Sequence, residues 1–151
     1  MTSESPTDIL RKEHEVVLKL LDRLEKCLEK SDMKSSGKNI AVLEKEFEKH
    51  SLNKEEKALF PEIEKFMPRE GGPTGMMCME HEDLVNSIKN CKDAVKTGNI
   101  ERLNENGSHI IELLRQHIGK ENDILFMMAE MHLDDRQKKA ILEKFKKFDK
   151  K

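Results

Sequence analysis

Two halves of this chain carry the same pattern of histidine, glutamate and apolar residues, and this constrains the fold more than any other feature. Matched residues of the two copies are 67 residues apart up to His50 and His117. The first copy then has one inserted residue, so that later matched residues are 66 apart. The matched polar segments are Glu13-His14-Glu15 with Glu80-His81-Glu82, His50 with His117, and Lys54-Glu55 with Lys120-Glu121. The matched apolar pairs include Leu10 with Met77, Val17 with Leu84, Leu21 with Ile88, Leu43 with Ile110, and Phe47 with Leu114. The repeat predicts a tandem helical hairpin with matched ligand sets.

The two copies must share one hydrophobic core, because 151 residues are too few for two independent cores. Apolar residues recur with helical spacing, and no segment shows the alternation of a strand. We predict an all-α, up-down-up-down four-helix bundle built from two helical-hairpin repeats, plus a short C-terminal helix. The single domain covers residues 1–151, with repeat one at about 7–67, repeat two at about 74–131 and the C-terminal helix at about 134–149.

Capping residues and breakers give the expected helix boundaries. Ser5 and Asp134 are candidate N-caps, and helix one is expected to end near Glu29. A connector at 31–37 and a Gly/Pro-rich break at 68–73 then place helix two at about 38–66, and Pro61 is expected to kink or interrupt it. The turn at 97–99 places helix three at about 74–96 and helix four up to about residue 131.

Composition excludes several classes of function. The formal charge of -2, with acids and bases interleaved, provides no basic stripe, so nucleic acid is not expected as a partner. No apolar run has the length of a membrane span and no signal peptide is visible, so no membrane association is expected. Three cysteines without a C-x-x-C spacing argue against a disulfide framework or a thiolate zinc site, which favours a cytoplasmic protein.

Four histidines lie on the apolar faces of the predicted helices, one on each helix. His14 shares its face with Leu10 and Val17, and His81 shares its face with the matched residues of the second copy. His50 and His117 follow apolar residues at offsets of -3 and -7. One histidine on such a face is usually a satisfied core residue, but four at matched positions indicate metal ligation.

Two glutamates complete the candidate ligand set. Glu121 follows His117 by four residues, which places both on one helix face, and Glu55 is its repeat-matched counterpart. Four nitrogens and two carboxylates exceed one tetrahedral zinc site and suit two metals bridged by carboxylates. We therefore expect two iron ions in the bundle core. The metal ligands are predicted to be His14, His50, Glu55, His81, His117 and Glu121.

The spacing between His50 and Glu55 is five residues, which a regular helix does not accommodate. Glu55 would be rotated about 140° from His50 on an α-helix and would miss the metal. Glu56 would be about 120° off in the other direction, and position 54 is a lysine. We predict a π-bulge or an equivalent distortion between His50 and Glu55 that turns Glu55 to the core.

The chain resembles the hemerythrin-like, HHE cation-binding domain over about residues 7–131. The segments that carry the resemblance are Glu13-His14-Glu15, His50 with Glu55-Glu56-Lys57-Ala58-Leu59-Phe60-Pro61, Gly72-Pro73-Thr74-Gly75-Met76-Met77 leading to Glu80-His81-Glu82, and His117-Ile118-Gly119-Lys120-Glu121. The resemblance implies a four-helix bundle with a non-heme di-iron centre, oxo- or hydroxo-bridged, that binds or reacts with dioxygen, nitric oxide or peroxide. The six candidate ligands fall on the family's ligand positions.

The chain departs from the oxygen-carrying hemerythrins at two points. They have a further histidine one turn after the helix-three ligand, where this chain has Val85. They also have the four-residue spacing in helix two and the five-residue spacing in helix four, the reverse of this chain. The missing ligand leaves a coordination position open, or filled by water or another side chain.

Three functions are therefore open at this point. The first is a di-iron protein that binds dioxygen, nitric oxide or peroxide as carrier, sensor or store. The second is a di-iron enzyme, such as a peroxidase, an oxidase or a protein that repairs iron centres or handles nitric oxide. The third is a structural bundle clamped by a divalent metal ion.

The sequence offers further candidate ligands. Glu56 and His109 are alternatives or additions to the six, although a surface or outer role is expected for His109. Cys78 is expected to be a structural cysteine. His132 has no matched histidine in repeat one. The glutamates beside the helix-one and helix-three histidines lie about 100° from them on the helix and are expected to face solvent. These are Glu13, Glu15, Glu80 and Glu82.

Overall fold

The computed structural model describes residues 4–150, which form five helices. Helices α2 and α4 are continuous but change from α-helical to π-helical hydrogen bonding and back. The bounds are α1, Pro6–Glu29; α2, Met33–Phe47 with a π-helical stretch Glu48–Leu59 and a last turn Phe60–Ile63; α3, Pro73–Thr97; α4, Ile100–Lys120 with a π-helical stretch Glu121–Leu125 and an end segment Phe126–His132; and α5, Asp135–Asp149.

The two predicted N-caps are present, and the predicted turn at 97–99 contains a glycine C-cap. At the start of α1, the Asp8 backbone N–H donates to Ser5 Oγ and the Ser5 N–H donates to the Asp8 carboxylate. Asp134 forms the same reciprocal arrangement with Gln137 at the start of α5. Gly98 ends α3 with a φ of 70°, a left-handed conformation that glycine adopts without steric cost.

Helix α2 begins earlier and ends earlier than expected. It starts at Met33 because Asp32 caps it, accepting a hydrogen bond of 3.0 Å from the Ser35 N–H. Gly37 lies inside the helix, where a Cβ would come within 3.1 Å of a Val95 methyl, so its lack of a side chain permits close packing on α3. Pro61 does not interrupt the helix, which continues for two residues beyond it and ends at Ile63.

The first four helices pack as a bundle in the order α1, α2, α3, α4, and α4 returns to α1. The short connectors between successive helices make neighbours antiparallel, which confirms the predicted architecture. Helix α5 packs against the π-helical stretch of α2. Among residues 4–150, no helix combines the length and the apolar character that a membrane span requires.

The buried apolar residues form two clusters, one toward each end of the bundle. The first includes Leu24, Ile40 and Leu103, and the second includes Phe60, Phe126 and Phe145 of α5. On every helix of the bundle the candidate ligands fall in sequence at the boundary between the two clusters. The bundle therefore presents a polar layer between two apolar ones.

Candidate metal centre

Each helix of the bundle contributes one buried histidine to this polar layer. His14, His50, His81 and His117 are between 1% and 3% exposed, as their shared apolar faces predicted. Aromatic side chains of the second cluster stack on two of them. The His14 and Phe126 rings lie 5.3 Å apart, and the His81 and Phe60 rings lie 6.0 Å apart. This packing fixes the ring planes.

The π-helical stretch of α2 carries Glu55 to the same layer. The predicted distortion is confirmed, and it extends over the whole stretch Glu48–Leu59. At its end the Phe60 N–H donates to the Glu55 carbonyl, five residues back, in place of the usual four. The wider turn absorbs the inserted residue, so that Glu55 is fully buried and its Oε2 lies 3.0 Å from His50 Nε2.

A second π-helical stretch in α4 was not predicted. It covers Glu121–Leu125, and the Phe126 N–H again donates five residues back, to the Glu121 carbonyl. The His117 to Glu121 spacing of four residues needs no distortion, so the ligand pattern gave no signal for it. The distortion therefore starts at Glu121 in α4, whereas in α2 it begins before Glu55.

The six predicted residues form two groups that share both carboxylates. Within each group, one potential ligand atom from every residue lies within 4.8 Å of the others. The first group is His14, His50, Glu55 and Glu121, and the second is His81, His117, Glu55 and Glu121. Two histidines thus come from repeat one in the first group and two from repeat two in the second, with the glutamates between them.

The atoms that face the centre are the Nε2 nitrogens and the carboxylate oxygens. Glu121 Oε1 lies 3.0 Å from His14 Nε2 and 3.3 Å from His117 Nε2. Glu55 bridges in the same way, since its Oε1 lies 3.1 Å from His81 Nε2 and its Oε2 contacts His50. Each carboxylate therefore reaches one histidine of its own repeat and one of the other.

This donor set fits metal cations. Glu55 Oε1 and Glu121 Oε2 are buried and make no hydrogen bond within residues 4–150. The Nε2 atoms of His81 and His117 approach to 3.0 Å, where two unprotonated nitrogens would repel each other. Buried oxygens without donors and converging nitrogen lone pairs are both stabilised by a cation between them.

The outward Nδ1 atom of each of the four central histidines has a side-chain partner. Two of these partners correct the sequence prediction. Glu13 and Glu80 were expected to face solvent, but Glu13 Oε1 lies 2.9 Å from His50 Nδ1 and Glu80 Oε1 lies 2.8 Å from His117 Nδ1. Glu15 and Glu82 are exposed, as expected. The sequence signal for this role was that Glu13 and Glu80 occupy matched positions in the two repeats. Such partners orient an imidazole and fix its Nδ1 proton.

The other two histidines have unequal partners. His81 Nδ1 lies 2.6 Å from Glu56 Oε2, and His14 Nδ1 lies 2.8 Å from Asn122 Oδ1. Glu56 and Asn122 are repeat-matched, so this pair breaks the symmetry of the centre. Glu56 does not replace Glu55 in the centre, because its carboxylate lies on the outer side of His81.

The carboxylates make the histidines strong bases. Burial opposes the protonation of His14, but Glu121 and Glu55 outweigh it and raise the pKa of His14 to about 10. Burial likewise opposes the protonation of His81, and Glu55 and Glu56 raise its pKa to about 10. Burial alone would raise the pKa of Glu55, yet the surrounding histidines hold that pKa well below its usual range. The two carboxylates of the centre therefore favour cations beside them, either protons on the histidines or metal ions.

A small cavity adjoins the first histidine pair. Its volume is about 10 Å³, which is room for roughly one water-sized molecule. His14, His50, His117 and Glu121 form the polar side of its wall. The apolar side consists of Val17, Phe47, Leu114 and Ile118, with Ser51 completing the lining.

The remaining candidates lie away from the centre. Val85 is 41% exposed, so the position one turn after His81 faces solvent and no ligand is lost there. His109 is half exposed and pairs with Asp83 at 2.9 Å, in the surface role expected for it. His132 is exposed beside Phe66. Cys78 is half-buried and belongs to neither ligand group, and burial raises the pKa of its thiol to about 11.

Comparison with known proteins gives one match. The family model described as the hemerythrin HHE cation binding domain matches residues 5–129. No curated protein matches the chain. No solved structure matches it either.

Proposed function

Because the chain belongs to the hemerythrin HHE cation-binding family, we propose that it holds two iron ions that bind dioxygen, nitric oxide or peroxide. The observation that carries this proposal is that both glutamates are shared between two histidine pairs. Shared carboxylates between two nitrogen donor sets suit a pair of metal ions better than a single ion.

The first ion would be held by His14 and His50, and the second by His81 and His117. Glu55 and Glu121 would bridge them and offset part of their charge. Glu13 and its counterparts hold the Nδ1 atoms outside, so that the Nε2 lone pairs point inward. Two histidines and bridging carboxylates around each ion leave coordination positions open, an arrangement that non-heme iron proteins use for dioxygen chemistry.

The cavity supports a small ligand over a bulky substrate. With a volume of about 10 Å³, it admits a molecule of very few atoms beside the first histidine pair. Its apolar wall, including Val17 and Leu114, keeps bulk water from the centre. The iron ions, when bound, supply the redox-active position at which such a ligand coordinates.

Azide titration of the oxidised, iron-loaded protein tests this proposal. Azide should perturb the visible iron bands with saturation. Val17→Leu fills the cavity with the residue that repeat two has at the matched position, and it should weaken azide binding about tenfold while both irons stay bound. Val42→Leu makes the same change at a half-exposed surface position and is the control. Equal azide affinity in Val17→Leu and the wild type would argue against ligand binding in this cavity.

A further inference from the structure

Helix α5 is the one described helix that lies wholly outside the family-matched residues 5–129. It has no counterpart in repeat one, yet it packs closely on the π-helical stretch of α2 that carries His50 and Glu55. Its Ile141 and Phe145 are buried in the second apolar cluster. The helix therefore covers the side of the centre that belongs to repeat one.

Helix α5 buries a lysine that contacts one of the glutamates on the outer side of the centre. Lys54 is 1% exposed, and its ammonium donates to Glu13 and to Asp149 Oδ2 near the end of α5, at 3.3 Å for Asp149. The ammonium also lies 3.0 Å from Asp149 Oδ1 in the same ion pair. The ammonium also lies 5.5 Å from the centre of the Phe145 ring. Glu13 in turn accepts from His50 Nδ1. Asp149, Lys54, Glu13 and His50 thus form a continuous chain of alternating charge.

Repeat two has the same chain without the cover. Lys120 donates to Glu80 Oε2 at 2.5 Å, and Glu80 accepts from His117 Nδ1. The Lys120 side chain is 37% exposed, against 1% for Lys54. Water therefore competes for the Lys120 ammonium, whereas α5 excludes it from Lys54. The two glutamates are similarly exposed, at 22% for Glu13 and 18% for Glu80.

We propose that α5 is a positioning element of the metal centre, which rests on the two-metal function proposed above. Asp149 and Phe145 hold Lys54 against Glu13, and Glu13 fixes the His50 ring toward its metal. The ion at His14 and His50 is consequently released more slowly than the ion at His81 and His117. Asp149 also lies 3.6 Å from Lys49, an exposed contact that does not reach the centre.

The physical basis is the dependence of a histidine ligand on its outer partners. A carboxylate that accepts from Nδ1 orients the ring, and losing such a partner typically weakens metal binding by 10–100-fold. A buried ammonium bonded to two carboxylates holds those partners more rigidly than an ammonium exposed to water does. The burial of Lys54 distinguishes the chain that ends at His50 from the matched chain that ends at His117, and α5 causes it.

Chelator-driven release of cobalt(II) from the fully loaded protein, followed by visible absorption, tests the inference. The wild type should release two ions in two kinetic phases, and His50→Ala should remove the slow one.

Asp149→Asn should accelerate the slow phase about tenfold and leave the fast phase unchanged. Asp149→Glu should restore the slow rate. Lys120→Met should accelerate the fast phase alone, and Asp135→Asn, at the other end of α5, should change neither.

The outcomes separate this inference from the proposed function. A wild type that binds no cobalt, or one ion per chain, would remove the two-metal function and the inference with it. Two bound ions released in one phase, or an Asp149→Asn variant that changes both phases equally or neither, would overturn the role of α5 alone. Because the Asp149 side chain is 47% exposed, its substitution should leave the fold intact, which circular dichroism checks.

Discussion

Glu121 Oε1 lies 3.0 Å from His14 Nε2, although 107 residues separate the two in sequence. Glu55 makes the reciprocal contact with His81, so each repeat supplies a carboxylate to the histidines of the other. Neither helical hairpin alone contains a complete ligand group. The metal centre therefore ties the two repeats together, and metal binding is expected to stabilise the whole bundle.

Glu55 and Glu56 are adjacent but should differ sharply on substitution. Glu55→Gln removes a carboxylate that both ligand groups share, so the variant should lose both metals. Glu56→Gln changes the outer partner of His81 and should retain two metals with about tenfold weaker binding. Metal analysis after dialysis against a weak chelator measures both. Equal metal loss in the two variants would contradict the assignment of Glu55.

Removal of one histidine should lower metal content and stability together. His14→Ala and His81→Ala each leave the shared buried carboxylates with one cation fewer, and each should lower the melting temperature of the metal-loaded protein by about 5–10 °C. The metal-loaded wild type is the reference, and His109→Ala, a change at a half-exposed histidine outside the centre, is the control. Full metal occupancy with unchanged melting temperature in both variants would refute the two-metal centre.

A histidine at position 85 should not enlarge the ligand set. Although the oxygen-carrying hemerythrins suggest a ligand one turn after His81, the side chain at this position faces solvent. Val85→His should therefore leave the visible iron bands and the azide affinity unchanged. A shift of those bands would show that position 85 reaches the metals.

The metal-free protein should lose stability as the pH rises. His14 and His81 have pKa values of about 10 in the fold, above the ordinary value of 6.5. The stabilisation from their protonated forms is complete below pH 6.5 and disappears as the pH rises toward 10. Urea denaturation of chelator-treated protein across this range should show a falling midpoint. A midpoint that rises or stays constant would contradict the pairing of these histidines with Glu55 and Glu121.

Much of the fold and the clustering of the six candidate ligands could be predicted because the relevant signals are local. Helical periodicity placed the four histidines on core faces, and the mismatch between His50 and Glu55 required the α2 distortion. The start of α2 was misplaced because the polar run after Asp32 suggested a connector. Packing against Val95 lets Gly37 remain in the helix.

The outer partners could not be predicted from helix geometry alone. Glu13 lies about 100° from His14 on α1, which suggests solvent, but its carboxylate reaches His50 on the neighbouring helix. Whether it does so depends on how α1 and α2 pack, which a single helix does not determine. The same holds for the contact between Lys54 and Asp149 of α5.

The magnetic susceptibility of the oxidised, iron-loaded protein, with iron content determined on the same sample, tests the central claim most directly. If Glu55 and Glu121 hold two irons close enough to share the expected oxo or hydroxo bridge, each chain should contain two ferric ions. Coupling through that bridge should make the susceptibility fall well below that of two independent ions. One iron per chain, or two ions with the full susceptibility of isolated ferric iron, would contradict a shared centre.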